Sequence, residues 1–341
     1  MSADFHYFAD RFADVQILRY LVPGFEELSL KKKKLLFYLS SAALSGRDII
    51  WDQNYKHNLI IRRSLEEIMR HYTGNREAAS FRRFIDYVKR VWFCNGIHHH
   101  YSSRKFVPEI TFADFCDFAR QSPNANFPLA EGGGLDALLS FLEPIIFDPG
   151  VDARMVNKDA GVDLVKTSAV NFYDGVSEAE VGEFYARLKD NENPQAPSYG
   201  LNSRLVKQDG VVQEKVWKVG GLYTDAIERM VYWLEKAKGV AENDKQRETL
   251  SHLAAYYTSG DLAEFDAYNI AWVKDTDSDV DAIHGFIEVY SDPLGYRGTY
   301  ESIVSVKDPV ATVRIQTVAE NAQWFEDHSP IADNHKKDKV Q

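Results

Sequence analysis

No part of the sequence restricts the fold more than Gly285-Phe-Ile-Glu-Val-Tyr-Ser-Asp-Pro-Leu-Gly-Tyr-Arg-Gly-Thr-Tyr-Glu301. Asp292-Pro293-Leu294-Gly295 carries the residues of a type I turn, with Asp first, Pro second and Gly fourth. The runs on either side are rich in β-branched and aromatic residues, so the unit reads as a β-hairpin spanning about 286–304. With Asp292 facing Gly295, Tyr290 falls opposite Arg297, Glu288 opposite Thr299 and Phe286 opposite Glu301. Side chains alternate along strands, which puts Glu288, Tyr290, Arg297, Thr299 and Glu301 on one face and Ile287, Val289, Tyr296 and Tyr300 on the other. The second face suits a core. The first gathers ionisable groups that could line a cleft or form an ordinary solvated sheet surface.

A chain of 341 residues can bury a large core, and its 45% apolar and 27% charged content excludes wholesale disorder. The aromatic share of 13% fits either a densely packed core or a ring-lined cleft. A net charge of −11 argues against a general nucleic-acid binder, which needs a basic surface. The one dense basic run, Lys31 to Lys34, sits in a helical pattern beside Leu30, Leu35, Leu36 and Phe37 and reads as a solvated helix face. Cys94 and Cys116 are too few for a disulfide scaffold and point to free buried thiols in a reducing, cytoplasmic compartment. No apolar run is long enough to span a membrane, and the first residues do not read as a signal peptide.

Hydrophobic periodicity predicts helices over 28–44, 58–72, 80–92 (capped by Ser80) and 112–120. Gly96 to Pro108 reads as irregular, and residues 121–134, with Pro123, Pro128 and three consecutive glycines, as a loop. Ser177-Glu-Ala-Glu180 is a capping box that opens a helix to about Lys189. A second loop, with Pro194, Pro197 and Gly200, follows. Asp209-Gly210 joins the strands of a hairpin over 203–219. Helices follow at 223–238, 245–257 and from Asp261, and a last one runs from Pro309 to Phe325. The expected class is α+β, with many helices around a small antiparallel β-barrel or sheet. Residues 1–195 form a mainly helical part, 196–330 a mixed part and 331–341 a polar tail.

Common catalytic signatures are missing. None of the ten histidines belongs to an HExxH pattern, and His98-His99-His100 would splay rather than chelate one ion. No GxGxxG follows a strand, no lysine completes Gly132-Gly133-Gly134 as a phosphate loop, and no GxSxG elbow occurs. What remains is the polar hairpin face. Glu288 and Tyr290 are either a hydrogen-bonded surface pair or a carboxylate that grips a cation beside a phenol that donates to an oxyanion.

Gly285-Phe-Ile-Glu288-x-Tyr290-x-Asp292-Pro293-x-Gly295 resembles a signature of the dipeptidyl peptidase III family, zinc-dependent exopeptidases that remove dipeptides from peptide N-termini. Trp92 to Pro108, ending in Lys-Phe-Val-Pro, Asn202-Ser203-Arg204-Leu205, and Ser259-Gly-Asp through Trp272 resemble further family segments in the family's order, closest to its bacterial branch. The resemblance implies that Glu288 holds the substrate's free amino group and Tyr290 stabilises the tetrahedral intermediate. It also implies that Phe106 and Glu301 line the pockets for the first two substrate residues. Asp292 and Arg297 receive only turn and strand support. The family's HExxGH motif and its EExxAE/D-like helix are absent here. The chain therefore resembles the N-terminal half of such an enzyme, its substrate-binding lobe, and members of the family ordinarily continue past residue 341. The implied partners are short peptides with a free N-terminus and a C-terminal zinc-bearing lobe. Zinc belongs to the intact enzyme, and none is expected on this chain, which should be catalytically incomplete alone. The alternative is a noncatalytic peptide-binding or interaction module derived from that lobe.

Overall fold

The computed structural model describes residues 5–188, 193 and 196–340. Lys189, Pro194 and the expected boundary at residue 195 lie outside the described residues. A hairpin that the sequence reading leaves without an element comes first, β1 (Phe8–Phe12) paired antiparallel with β2 (Val15–Leu18). Six helices follow: α1 (Leu30–Ser45), α2 (Arg47–Asn54), α3 (Asn58–His71), α4 (Ala79–Cys94), α5 (Phe112–Arg120) and α6 (Leu135–Phe147). Ser29 caps α1 by accepting from the Lys32 N–H, and Thr111 with Asp114 closes a capping box on α5. Ser80 does not cap α4, which begins one residue earlier at Ala79. Helix α6 escapes the sequence reading because it opens straight off the glycine loop and carries Pro144 inside.

The second half contains β3 (Tyr173–Asp174), α7 (Glu178–Leu188), β4 (Ser203–Gln208), β5 (Val211–Val216), α8 (Thr224–Lys238), α9 (Asp244–Ser259) and α10 (Leu262–Lys274). After these come β6 (Val280–Phe286), β7 (Tyr300–Val306), α11 (Pro309–Glu320) and α12 (Ala322–Asp327). The expected last helix is thus two, parted at Asn321. Asp209 and Gly210 both adopt positive φ, at 51° and 78°, which is what a two-residue turn needs to join the twisted strands β4 and β5. The strands form three small separate sheets, β1-β2, β3-β4-β5 and β6-β7, and among the described residues none closes into a barrel. No helix among them is long and apolar enough to cross a membrane.

Three apolar cores organise these elements. One packs Tyr55, Ile61, Phe81, Phe84, Val91, Phe106, Phe115 and Leu142 among α2 to α6. A second joins Leu35, Leu39 and Ile49 of α1 and α2 to Phe172, Trp217, Leu234, Leu253, Tyr257, Phe286 and Tyr300. The smallest holds Val165, Val176, Val181, Tyr185 and Leu205, with Tyr296 packed against it. Helix α2 links the first two, since Ile49 belongs to one core and Trp51 to the other, while α1 packs against α8, β6 and β7.

Candidate functional site

The 286–304 hairpin forms with a different register from the one its turn suggests. Phe286 pairs with Tyr300 and Gly285 with Glu301, one residue away from the expected match of Phe286 with Glu301. A slip of one residue exchanges the two faces of a strand. Regular pairing also ends at Phe286 and Tyr300; beyond it the Ile287 N–H still donates to the Thr299 carbonyl at 3.0 Å, and residues 289–298 make an excursion from the sheet. The turn itself is present, because the Gly295 N–H donates to the Asp292 carbonyl at 3.2 Å.

Burial explains the change. Arg297, expected beside Glu288 and Tyr290 on the cleft face, and Asp292, expected to open the turn, are both fully buried. The Asp292 carboxylate accepts from the backbone N–H groups of Leu294, Tyr296 and Arg297 at 2.8–2.9 Å and from the Tyr173 hydroxyl at 2.8 Å. The Arg297 guanidinium donates to the phenol oxygens of Tyr173 at 3.0 Å and Tyr185 at 2.5 Å, and lies over both rings. Tyr185 passes its own proton toward Glu214 at 2.5 Å, and Ser203 donates to the same carboxylate oxygen at 2.7 Å. One buried polar chain thereby ties the excursion to β3, α7, β4 and β5.

A second tie runs through Gln53 of α2. Its buried amide donates to the Gly298 carbonyl at 3.2 Å and accepts from the Tyr300 N–H at 2.8 Å. Gly298 is required here by space: a Cβ would stand 2.5 Å from the Phe286 carbonyl carbon and 2.7 Å from the Ile287 nitrogen. Gly298→Ala must therefore shift backbone, not a side chain, and is expected to cost about 1–3 kcal/mol, read as a lower unfolding midpoint in urea. A midpoint equal to that of the parent chain would refute the close approach.

On this scaffold Glu288 and Tyr290 point to solvent, Tyr290 with 75% of its surface exposed. Among the described residues Glu288 forms no ion pair. Glu301 is half-buried and accepts from the Thr299 hydroxyl at 2.6 Å, and the Thr299 N–H donates to the Glu288 carbonyl at 2.9 Å. Thr299 thus brings Glu301 and the backbone of Glu288 together. Phe106 is not part of this group. It is buried in the helical core, edge-on to Tyr87, with the Arg90 guanidinium 4.5 Å above its ring.

The rings of His99 and His100 stack at 4.6 Å, yet the three consecutive histidines bond to three different partners. His98 bonds through Nε2 to the Asp152 carbonyl at 2.7 Å, His99 Nδ1 accepts from the Tyr101 and Ser102 N–H groups, and His100 Nδ1 lies 3.6 Å from the Cys94 sulfur. Burial raises the pKa of the Cys94 thiol, which disfavours the thiolate that a metal or an electrophile would need. Among the described residues no group of three or more His, Cys, Asp and Glu side chains could hold a metal ion. The residues here do not fit a zinc site, and no step through zinc is assigned to them.

The profile of Peptidase family M49 matches residues 196–341, which include the whole hairpin. Dipeptidyl peptidase 3 of Homo sapiens is 29% identical over 119 residues, 35% of this chain and 16% of that protein. Residues 196–341 are thus similar in sequence to that peptidase family. Dipeptidyl peptidase 3 of Dictyostelium discoideum, another relative, is 22% identical over 261 residues, 75% of this chain and 37% of its own length. The solved structure of dipeptidyl peptidase III from Caldithrix abyssi shares the fold, with a TM-score of 0.59 at 17% identity, over 92% of this chain and 47% of that one. The chain therefore spans about half the length of that dipeptidyl peptidase III and less of the curated relatives. Sequence reading had the hairpin but not Gln53, Tyr173 and Tyr185, whose roles depend on partners far away in the chain and leave no local signal.

Proposed function

We propose that this chain carries the peptide-recognising part of a dipeptidyl peptidase III-type enzyme. The observation that carries this is Glu288, an exposed carboxylate with no cationic partner among the described residues, set two residues from the exposed phenol of Tyr290 on a segment whose backbone is locked from below. Glu288 pairs with the ammonium of a peptide N-terminus, and Tyr290 donates a hydrogen bond to the oxyanion that forms during cleavage. Glu301, linked to Glu288 through Thr299, lines the adjoining pocket. Phe106 acts from behind Arg90, as the floor of a second pocket. The partners are short peptides with a free N-terminus and a zinc-bearing lobe that completes the enzyme. The protein is read as cytoplasmic, in line with its two buried free thiols.

An exposed ion pair is worth only ~0.2–1 kcal/mol, so the isolated chain should bind a free-amino peptide about two- to fivefold more tightly than its N-acetylated form. Titration calorimetry with both peptides tests this, and Glu288→Gln should erase the difference. Equal binding by the unaltered chain would remove the assignment of Glu288 and favour an unrelated interaction surface.

A further inference from the structure

Helix α1 is apolar on two opposite faces. Leu35, Leu39 and Ala42 are buried in the core, whereas Leu30, Phe37 and Leu44 each keep more than half of their surface exposed. With about 3.6 residues per turn, the second set points away from the first, and its seven-residue recurrence places all three in one nearly straight row. Helix α8 lies beside α1 and runs antiparallel to it, since Lys32 near the start of α1 pairs with Glu242 just past the end of α8 at 3.2 Å. Tyr38 and Trp233 stack across the two helices with ring centroids 5.9 Å apart, and Phe37 and Tyr232 meet the same indole edge-on at 5.8 and 4.9 Å. Tyr232 is also more than half exposed. Two helices thus present one aromatic surface flanked by the leucines of α1, and a contiguous apolar patch of this kind marks an interaction face.

Spacing and charge together select the occupant. Exposed apolar residues that recur every seven positions match the seam of a second helix, which returns the same face at that interval, whereas an extended segment has no such period. Ser41, between Phe37 and Leu44 in the row, turns its hydroxyl back to the Phe37 carbonyl at 2.7 Å and leaves room for an apolar side chain. Lys32 is paired with Glu242 and Asp279, and Lys33 with Glu26. Lys31 and Lys34 of α1 and Arg229 and Lys236 of α8 are exposed and have no carboxylate within ion-pair distance among the described residues. Lys236 lies 5.4 Å from the centre of the Tyr232 ring, and Lys34 follows Leu30 by one turn of the row. The acids Asp225 and Glu228 stand at the start of α8, toward the Leu44 end. On a chain of net charge −11 this face is locally cationic. An anionic bilayer, which also takes basic and aromatic residues together, would be repelled by the rest of the chain. We propose that this face of α1 and α8 docks an acidic amphipathic α-helix of a partner protein.

The probe is a fluorescein-labelled peptide of three Leu-Glu-Ala-Leu-Glu-Ala-Glu repeats, titrated with the full chain and followed by anisotropy. Its controls are a scrambled peptide of the same composition and a counterpart with every Glu replaced by Gln. The acidic peptide should bind saturably, and the scrambled one at least about tenfold more weakly, because only the heptad order presents a continuous apolar seam. Phe37→Ser and Tyr232→Ser should each weaken the acidic peptide at least about fivefold, as expected of aromatic anchors, at an unchanged melting temperature. Lys34→Glu should weaken the acidic peptide about two- to fivefold and leave the Gln counterpart unchanged. This variant removes no packed ring, so it keeps the test decisive if either aromatic variant folds poorly. Absence of saturable binding, equal binding of the scrambled peptide, tighter binding of the Gln counterpart, or an affinity that none of the three substitutions moves would overturn the proposal. Sedimentation with phosphatidylserine–phosphatidylcholine vesicles that Phe37→Ser abolishes, in the absence of peptide binding, would give the face to lipid instead and overturn it equally. None of these variants touches the 286–304 hairpin, so the outcome does not depend on the role assigned to Glu288.

Discussion

Arg297→Ala is expected to destabilise the chain by about 3–5 kcal/mol, because removal of one partner from a buried charge network leaves the other uncompensated. The Arg297 side chain is wholly inaccessible, and its guanidinium satisfies two phenol oxygens that have already committed their protons to Asp292 and Glu214. Without it, Tyr173 and Tyr185 keep their donations but lose their donors, and Asp292 loses the nearby positive charge, 3.9 Å away. Arg297→Lys should recover only part of the loss, since one ammonium cannot span both oxygens as a planar fork does. Urea unfolding followed by circular dichroism measures the cost, and peptide titration of whatever remains folded measures its consequence for Glu288. A loss below about 1 kcal/mol would mean that the network is no more than a surface pair in strength, and the locked-backbone account would fall. Native stability of ordinary domains is only about 5–15 kcal/mol, so this one side chain is expected to decide whether the hairpin region folds at all.

Mild acid is expected to weaken the fold well above the range in which carboxylates titrate. Burial pushes His98 and His284 down to about 4, from an ordinary value of 6.5. The geometry agrees. His284 is fully buried with Nδ1 2.6 Å from the neutral Tyr257 hydroxyl and no carboxylate paired to it among the described residues, and His98 Nδ1 is buried with no partner, so an added charge at either ring is poorly compensated. The sign follows from proton counting. Between pH 6.5 and about 4 the unfolded chain binds a proton at each histidine that the folded chain refuses. The stability is therefore fully present above pH 6.5 and is lost as pH falls, by roughly 3 kcal/mol per histidine once both values have been passed. His284→Gln, which keeps an acceptor for Tyr257, should flatten the slope of unfolding free energy against pH by up to about 1.4 kcal/mol per pH unit between pH 6 and 4.5. The same slope in the variant and the parent would show that His284 is protonated without penalty.

Helices were legible wherever the apolar period was unbroken and a cap stood at the end, as in α1, α5 and α7. Helix α6 was not, because a proline and a run of glycines outweigh its leucines in a local reading. The Asp209-Gly210 hairpin was legible because its turn admits few residue types. The Asp292 hairpin was legible as a turn but not in register. Alternation placed Arg297 on the polar face with Glu288, whereas the fold turns its guanidinium inward between two tyrosines. A charged side chain reads as exposed until its buried partners are known, and Tyr173 and Tyr185 lie more than a hundred residues upstream. The same holds for Phe106, which the motif presents as a lining residue and the packing covers with Arg90.

The sequence alone settled the α+β class, the turn at Asp292 to Gly295, most helices and the likeness of the hairpin region to a peptidase family. These rest on local periodicity, turn chemistry and motif order, which survive whatever surrounds them. Only the tertiary structure decided that the strands make small separate sheets, that regular pairing ends at Phe286 and Tyr300, and that Asp292 and Arg297 are inside while Glu288 and Tyr290 are outside. The reason is that burial of a charge is a collective property. It is tolerated only where several distant groups converge to satisfy it, and no single stretch of sequence records that convergence.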